Sequence, residues 1–210
     1  MNQLDTVLQS QVPMVMVPRY EALPPIRPNS HRYLSCSDGI HLEVDRPWIS
    51  GVFKVSDCVL PYGQVAPRFA LKIHSAHFAA MLGAFIEASR HAFPQEHAAW
   101  ITFHPEQGDL RYFMPAILSV GRGHIQYERP EASADCLPLI DFHSHGALPA
   151  FFSNTDNNDD LVDDLKIAIV IGNLDRPEPT AVARLVGLGL NVNISEWVNA
   201  FVQNGVTETT

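Results

Sequence analysis

The segment His143-Ser144-His145 is followed, after a seven-residue spacer, by Ser153 and then Asp156, giving H-x-H-x7-S-x2-D. This stretch offers three metal ligands, two imidazoles and a carboxylate, together with one hydroxyl. The apolar run Leu137-Pro138-Leu139-Ile140-Asp141-Phe142 just before it reads as a strand that ends at the histidines. Side chains at i and i+2 of a strand point to one face, so both imidazoles can reach a single ion. Asp156 then closes the set from the turn that follows. Two histidines and a carboxylate leave a fourth position open to water, which is how catalytic zinc sites are built; structural sites are closed by four protein ligands.

Each piece also has an ordinary reading. A histidine of an isolated H-x-H is most simply a satisfied strand residue. Ser153-x-x-Asp156 fits a capping box at a helix start, with Asp in place of the usual Glu or Gln. On that reading Ser153→Ala costs about 1 kcal/mol and leaves metal binding untouched. The two readings are compatible, because a ligand at a helix N-terminus can also cap.

The elements that must position these residues follow from periodicity and turn chemistry. Phe78, Met81, Leu82, Phe85 and Ile86 recur at helical spacing, with Ser75 available as an N-cap and Pro94 beyond the end. Strands are expected over Ala99–Phe103 and Leu110–Met114, joined through Glu106-Gln107-Gly108-Asp109, and a further strand through 116–120 and 125–127. After the motif strand, a helix opens at Asn154 and runs toward Leu165. Strands follow over Ile167–Ile171 and Ala181–Leu190, then a short terminal helix over Ser195–Val202. Gly187 and Gly189 lack the third glycine and the strand-to-helix setting of a nucleotide fingerprint.

Residues 1–71 read as a β-rich N-terminal extension. Pro24, Pro25 and Pro28 separate Met14–Tyr20 from a hairpin whose arms, Arg32–Cys36 and Ile40–Val44, flank Ser37-Asp38-Gly39. Trp48–Val55 and Gln64–Ile73 add strands, and no chemistry is legible there. Residues 72–203 form the main domain, and 204–210 a flexible tail. Asp159, Asp160, Asp163 and Asp164 read as a solvated helix face. His74, His77, His91 and His97 match no ligand spacing and read as surface or packing residues. Cys136 reads as a buried structural thiol, and Trp100, Phe103, Phe113 and Phe142 as core.

Composition narrows the function classes. With Lys+Arg 14 against Asp+Glu 23, the formal charge is −9, and no basic run interrupts it. That balance disfavours nucleic acid and anionic membrane as partners. Cys36, Cys58 and Cys136 are odd in number and scattered, which fits a reducing compartment and no disulfide framework. Val12–Val17 is too short for a membrane span or a signal segment. A cytoplasmic protein is expected.

The H-x-H-x7-S-x2-D pattern resembles the motif of the JAMM/MPN metalloprotease family, in which a distant upstream glutamate completes the site. In that family a helix ends in a Pro-x-Glu segment leading into the first strand of the sheet. Here Phe93-Pro94-Gln95-Glu96 follows the helical stretch His77–His91 and precedes Ala98-Ala99-Trp100-Ile101. The resemblance covers roughly residues 72 to 200 and implies an α/β fold, a mixed sheet flanked by helices. It implies Zn2+ held by His143, His145 and Asp156, with Glu96 as general base and Ser153 donating to the developing oxyanion or helping to hold the water. Such an ion lowers the pKa of its bound water from ~15.7 to ~7, and the base carries the proton to the leaving amine. Two departures stand out: Gly146 replaces the proline that usually follows the second histidine, and the Gly-Leu-Leu-x-Gly segment after the glutamate is absent. Glu106 is the competing base, though its setting reads as a hairpin turn.

Within the family the layout is similar to the A protein of the bacterial PRTRC cassette, a gene set that also encodes ThiF-like (E1-type) and ubiquitin-like partners. The resemblance therefore implies a zinc-dependent peptidase or isopeptidase acting at the C-terminus of a ubiquitin-like protein. Two alternatives stay open: a non-catalytic scaffold of the same fold, and a DNA-associated role like that of RadC proteins. The negative charge and the missing Pro-Ser-Gly after the second histidine count against the latter.

Overall fold

The computed structural model describes residues 2–121, 123–159 and 165–205. Asp160, Asp163 and Asp164 of the expected acidic face, and the tail from 206, lie outside the described residues. The chain divides into two compact units, 1–73 and 74–210.

The first unit begins with α1 (Gln3–Gln11), where a β-rich stretch was expected. The helix is capped by Asn2, whose Oδ1 accepts from Leu4 N at 3.0 Å, and it buries no side chain. Its apolar residues Leu4, Val7 and Leu8 fall at helical spacing but stay exposed. Strands β1 (Met14–Met16), β2 (Ser30–Cys36), β3 (Gly39–Asp45), β4 (Ile49–Asp57) and β5 (Arg68–Leu71) then form one sheet in sequence order. The β1–β2 pair is parallel and the rest antiparallel. Cys36 pairs with Gly39 across the two-residue turn Ser37-Asp38. Gly39 has a φ of +152°, and a Cβ there would meet Ser56 O at 2.1 Å. Val17, Leu34, Cys36 and Val52 form one buried cluster of this unit, and Leu42, Val44, Trp48 and Ile49 are buried as well.

The second unit is α/β. Its elements are α2 (Ser75–Ala92), β6 (Ala98–His104), β7 (Asp109–Phe113), β8 (Ile117–Val120), β9 (Ile125–Tyr127), β10 (Leu137–Ser144), α3 (Asn154–Asp159), β11 (Leu165–Gly172), β12 (Thr180–Gly187), β13 (Leu190–Asn193) and α4 (Ser195–Gly205). Six strands form a mixed sheet in the order β13-β12-β11-β10-β6-β7, and β8 and β9 form a separate hairpin. Central β10 runs parallel to β11 and antiparallel to β6.

Several boundaries differ from expectation. Ser75 is the first helical residue of α2 rather than its cap, a position held by His74 without a side-chain bond. The single strand expected over 116–127 is the β8–β9 hairpin, with Val120 paired to Ile125. The strand expected over Ala181–Leu190 is broken at Leu188-Gly189, where both residues have positive φ. Two such residues between paired Gly187 and Leu190 make the tight turn that matches strand twist. Phe113 is 41% exposed rather than core, because β7 is an edge strand.

Alternation along β10 separates two jobs. Phe142 stacks on Phe85 of α2 with ring centroids 4.8 Å apart, while Phe78 of α2 packs against Trp197 and Phe201 of α4. The neighbours of Phe142, Asp141 and His143, therefore face the opposite side of the sheet. There Lys166 of β11 is buried, donates to Asp141 Oδ2 at 3.0 Å and lies over the Trp100 ring at 5.1 Å. Removing this carboxylate strips the buried Lys166 ammonium and the Tyr127 hydroxyl of a shared partner. Asp141→Ala is therefore expected to lower stability to urea by about 3–5 kcal/mol, and the pairing Asp141→Leu with Lys166→Met to recover most of it. A loss under about 1 kcal/mol in the single variant would show that Lys166 does not depend on this carboxylate.

Candidate metal centre

The two histidines sit where β10 ends. His143 is the penultimate strand residue, and His145 lies one residue beyond the strand, its N–H still donating to Ile171 O at 2.8 Å. Gly146 follows with φ +56°, turning the chain so that Gly146 O accepts from Leu174 N at 2.9 Å. A Cβ at Gly146 would lie 3.3 Å from Pro94 O. A proline, with φ fixed near −65°, cannot adopt this turn, which accounts for the departure at that position.

Ser144 was not singled out in the sequence, yet it fixes the approach of the upstream segment. Its N–H donates to His97 O, and its Oγ accepts from His97 N, both at 2.9 Å. Glu96 N donates to Gly121 O at 3.1 Å. These bonds hold Glu96 beside the end of β10, and the backbone supplies most of the tether. Its only sequence signal is a small hydroxyl residue between the two histidines.

Asp156, in the first turn of α3, uses its two oxygens differently. Oδ2 accepts from Ser153 N at 2.6 Å while Asp156 N donates to Ser153 Oγ at 3.2 Å, a reciprocal capping box. Oδ1 lies 3.3 Å from His143 Nε2. The capping and ligand readings thus coexist in one carboxylate. One donor atom each from His143, His145 and Asp156 lies within 4.8 Å of the others. His145 Nδ1 is buried without a hydrogen-bond partner among the described residues, and the equally buried His143 Nε2 faces the Asp156 carboxylate. An unpaired buried nitrogen is costly, and a divalent cation would satisfy it, so this donor set fits a metal.

Glu96, His143, His145, Ser153 and Asp156 line one cavity of about 140 Å³, with Phe151 and Tyr127 on its walls. Tyr127, His143 and Asp156 also line an adjoining cavity of about 340 Å³ that reaches Arg129 and Phe152. Tyr127, another residue the sequence does not mark, donates to Asp141 Oδ1 at 2.6 Å and so ties the β8–β9 hairpin to β10. Burial, with the Asp141 carboxylate beside it, holds the Tyr127 phenol protonated well above its usual range.

The other candidates lie elsewhere. Glu106 is exposed on the β6–β7 turn. His97 stacks on Phe85, His74 lies against His77, and His91 Nδ1 contacts Glu87 O. Cys136 is half-buried, because it lies just before β10 rather than within the sheet.

Charge in the cavity is strongly coupled. Burial pushes the Glu96 carboxyl up to about 7; the His143 imidazole opposes this and Asp156 adds to it. Burial disfavours the charged form of His143, but Asp156, Asp141 and Glu96 outweigh it and raise its pKa. Burial and the neighbouring His143 hold His145 down at about 4, so its ring is neutral at pH 7. Burial would raise Asp156, but His143 and the Ser153 bonds bring it well below the carboxylate range.

Residues 78–185 match the family of prokaryotic homologs of the JAB domain, and residues 2–72 match a domain of unknown function, DUF2016. The first match spans half of the chain, which therefore belongs to the prokaryotic JAB-homolog family. No curated protein matches. Among solved structures, the chain is similar to the solution structure of protein DSY2949 from Desulfitobacterium hafniense. The identity is 18%, covering 54% of this chain and 85% of that one, with a TM-score of 0.40.

The Glu96 shift has a stability consequence in metal-free protein. An acid whose folded pKa is raised stabilises the fold most fully below its ordinary value and loses that contribution as pH rises through the folded value. The window here runs from 4.5 to about 7. Metal-free Glu96→Gln should melt increasingly above the metal-free parent as pH rises from 4.5 to about 7. Parallel melting profiles across that range would refute a buried, ionising Glu96.

Proposed function

We propose that this chain is a zinc-dependent peptidase or isopeptidase of the JAMM type. Its substrate would be the amide at the C-terminus of a ubiquitin-like protein or of its conjugates. The observation that carries this reading is the convergence of Glu96 with His143, His145 and Asp156 on one cavity, with His145 Nδ1 buried and without a hydrogen-bond partner among the described residues. His143, His145 and Asp156 would hold Zn2+, leaving a position for water and substrate. When bound, the ion supplies Lewis acidity to the scissile carbonyl and a water that is nucleophilic at neutral pH.

The remaining steps belong to side chains. Glu96 lines the same cavity as the three ligands, where it would take the proton of the attacking water and return it to the leaving amine. Ser153 Oγ already accepts from Asp156 N, so its own proton is available to the developing oxyanion. The Tyr127 and Phe151 walls limit water around the reacting bond. The substrate class, and a ThiF-like partner, come from the similarity in layout to the PRTRC A protein. Three free cysteines are in keeping with a cytoplasmic setting, and no described helix is long and apolar enough to cross a membrane.

Elemental analysis and cleavage of ubiquitin-like fusions test this together. His145→Ala should lose one zinc equivalent relative to the parent. Glu96→Gln should keep its zinc and cleave about 10²–10⁴-fold more slowly. Unchanged zinc in His145→Ala would overturn the metalloenzyme reading. Full zinc without cleavage of any fusion would leave a scaffold of the same fold.

A further inference from the structure

A second cluster of ligand-type side chains lies in the N-terminal unit, remote in sequence from the motif. Cys36 closes β2, Asp38 sits in the two-residue turn, and His41 lies near the start of β3. One ligand atom from each, the thiol sulfur, a carboxylate oxygen and a ring nitrogen, lies within 4.8 Å of the others. Two backbone features gather them. The tight turn sets Cys36 opposite Gly39, and the β3–β4 register shifts between Ile40 and His41. Such a bulge re-aims the side chain that follows it.

The state of His41 is the informative observation. Its side chain is fully buried, its Nε2 lies 3.1 Å from Asp38 Oδ1, and its Nδ1 has no partner among the described residues. One ring nitrogen on a carboxylate and the other left open is the arrangement of a metal-ligating histidine with its orienting partner. The ordinary alternative is a core cysteine beside a surface ion network. That network accounts for Asp38, whose Oδ2 lies 3.2 Å from Lys54 Nζ, and Lys54 continues to Asp57 at 2.7 Å. It leaves the sealed His41 Nδ1 unexplained.

We propose that Cys36, Asp38 and His41 form a metal site for a thiophilic divalent cation of the zinc class. Thiolate and imidazole together select zinc-like ions over magnesium or calcium, which prefer oxygen cages. Asp38 is the entry point: its side chain is 35% exposed, whereas Cys36 and His41 are sealed. On binding, the Cys36 S–H bond is replaced by a sulfur–metal bond and the proton leaves to solvent. Asp38 supplies the third donor atom, and its other oxygen stays with Lys54.

The site is separable from the motif centre because only it contains sulfur. The full chain, stripped of metal by a chelator under reducing conditions, is titrated with Co2+ while the near-ultraviolet thiolate-to-cobalt charge-transfer band is followed. The band is expected in the parent, in His143→Ala, in Cys58→Ser and in Cys136→Ser, and is expected to vanish in Cys36→Ser. Asp38→Asn, on the exposed side, guards against misfolding of the cysteine variant. It should keep the parent's far-ultraviolet circular dichroism and bind Co2+ about 10–100-fold more weakly at this band. No band in the parent, a band that survives Cys36→Ser, or undiminished affinity in a folded Asp38→Asn would each overturn the site.

Discussion

β10 is buried along most of its length and carries alternate side chains to two environments that cannot be exchanged. Phe142 must meet Phe85, and Asp141 and His143 must meet Lys166 and the cavity. A one-residue slip would bury a histidine against an aromatic helix and turn the phenylalanine toward a polar pocket. Parallel pairing with β11 and antiparallel pairing with β6 fix that register from both sides. The rest of the candidate centre is then added at the strand's end, where Ser144 ties in the Glu96 segment and Gly146 turns the chain toward α3.

The polar face of the sheet works as a connected network. Lys166 and Tyr127 converge on the two oxygens of Asp141, so one carboxylate braces both the neighbouring strand and the β8–β9 hairpin that walls the cleft. His143 stands two residues further along the same face. Its Asp156 neighbour is in turn oriented by the α3 capping box. Burial makes each of these partnerships matter more than it would at the surface, because an unpaired charge in that environment is far more costly.

The N-terminal unit uses a hairpin in a comparable way. A two-residue turn and a bulge do there what a strand end and a glycine turn do in the second unit: they turn short-range backbone geometry into a convergence of donor atoms. Cys36, Asp38 and His41 lie within six residues of sequence, and the hairpin's cross-strand pairing brings their donor atoms together.

The sequence by itself determined the local features. Hydrophobic period marked α2, β6, β10, β11 and α4. The Ser37-Asp38-Gly39 turn was visible in its residue types, and His143, His145, Ser153 and Asp156 could be read because they lie within fourteen residues of chain. Near-neighbour spacing carries that information directly. It did not reveal α1, whose helix has no buried face, or the Leu188-Gly189 break, whose first residue is an ordinary leucine forced to positive φ. Only the tertiary structure decided that Glu96, rather than Glu106, shares the cavity, and that Ser144 and Tyr127 brace it. Those relations depend on strand register and on backbone hydrogen bonds between distant segments, and a backbone bond leaves no mark on the identity of the residues that make it.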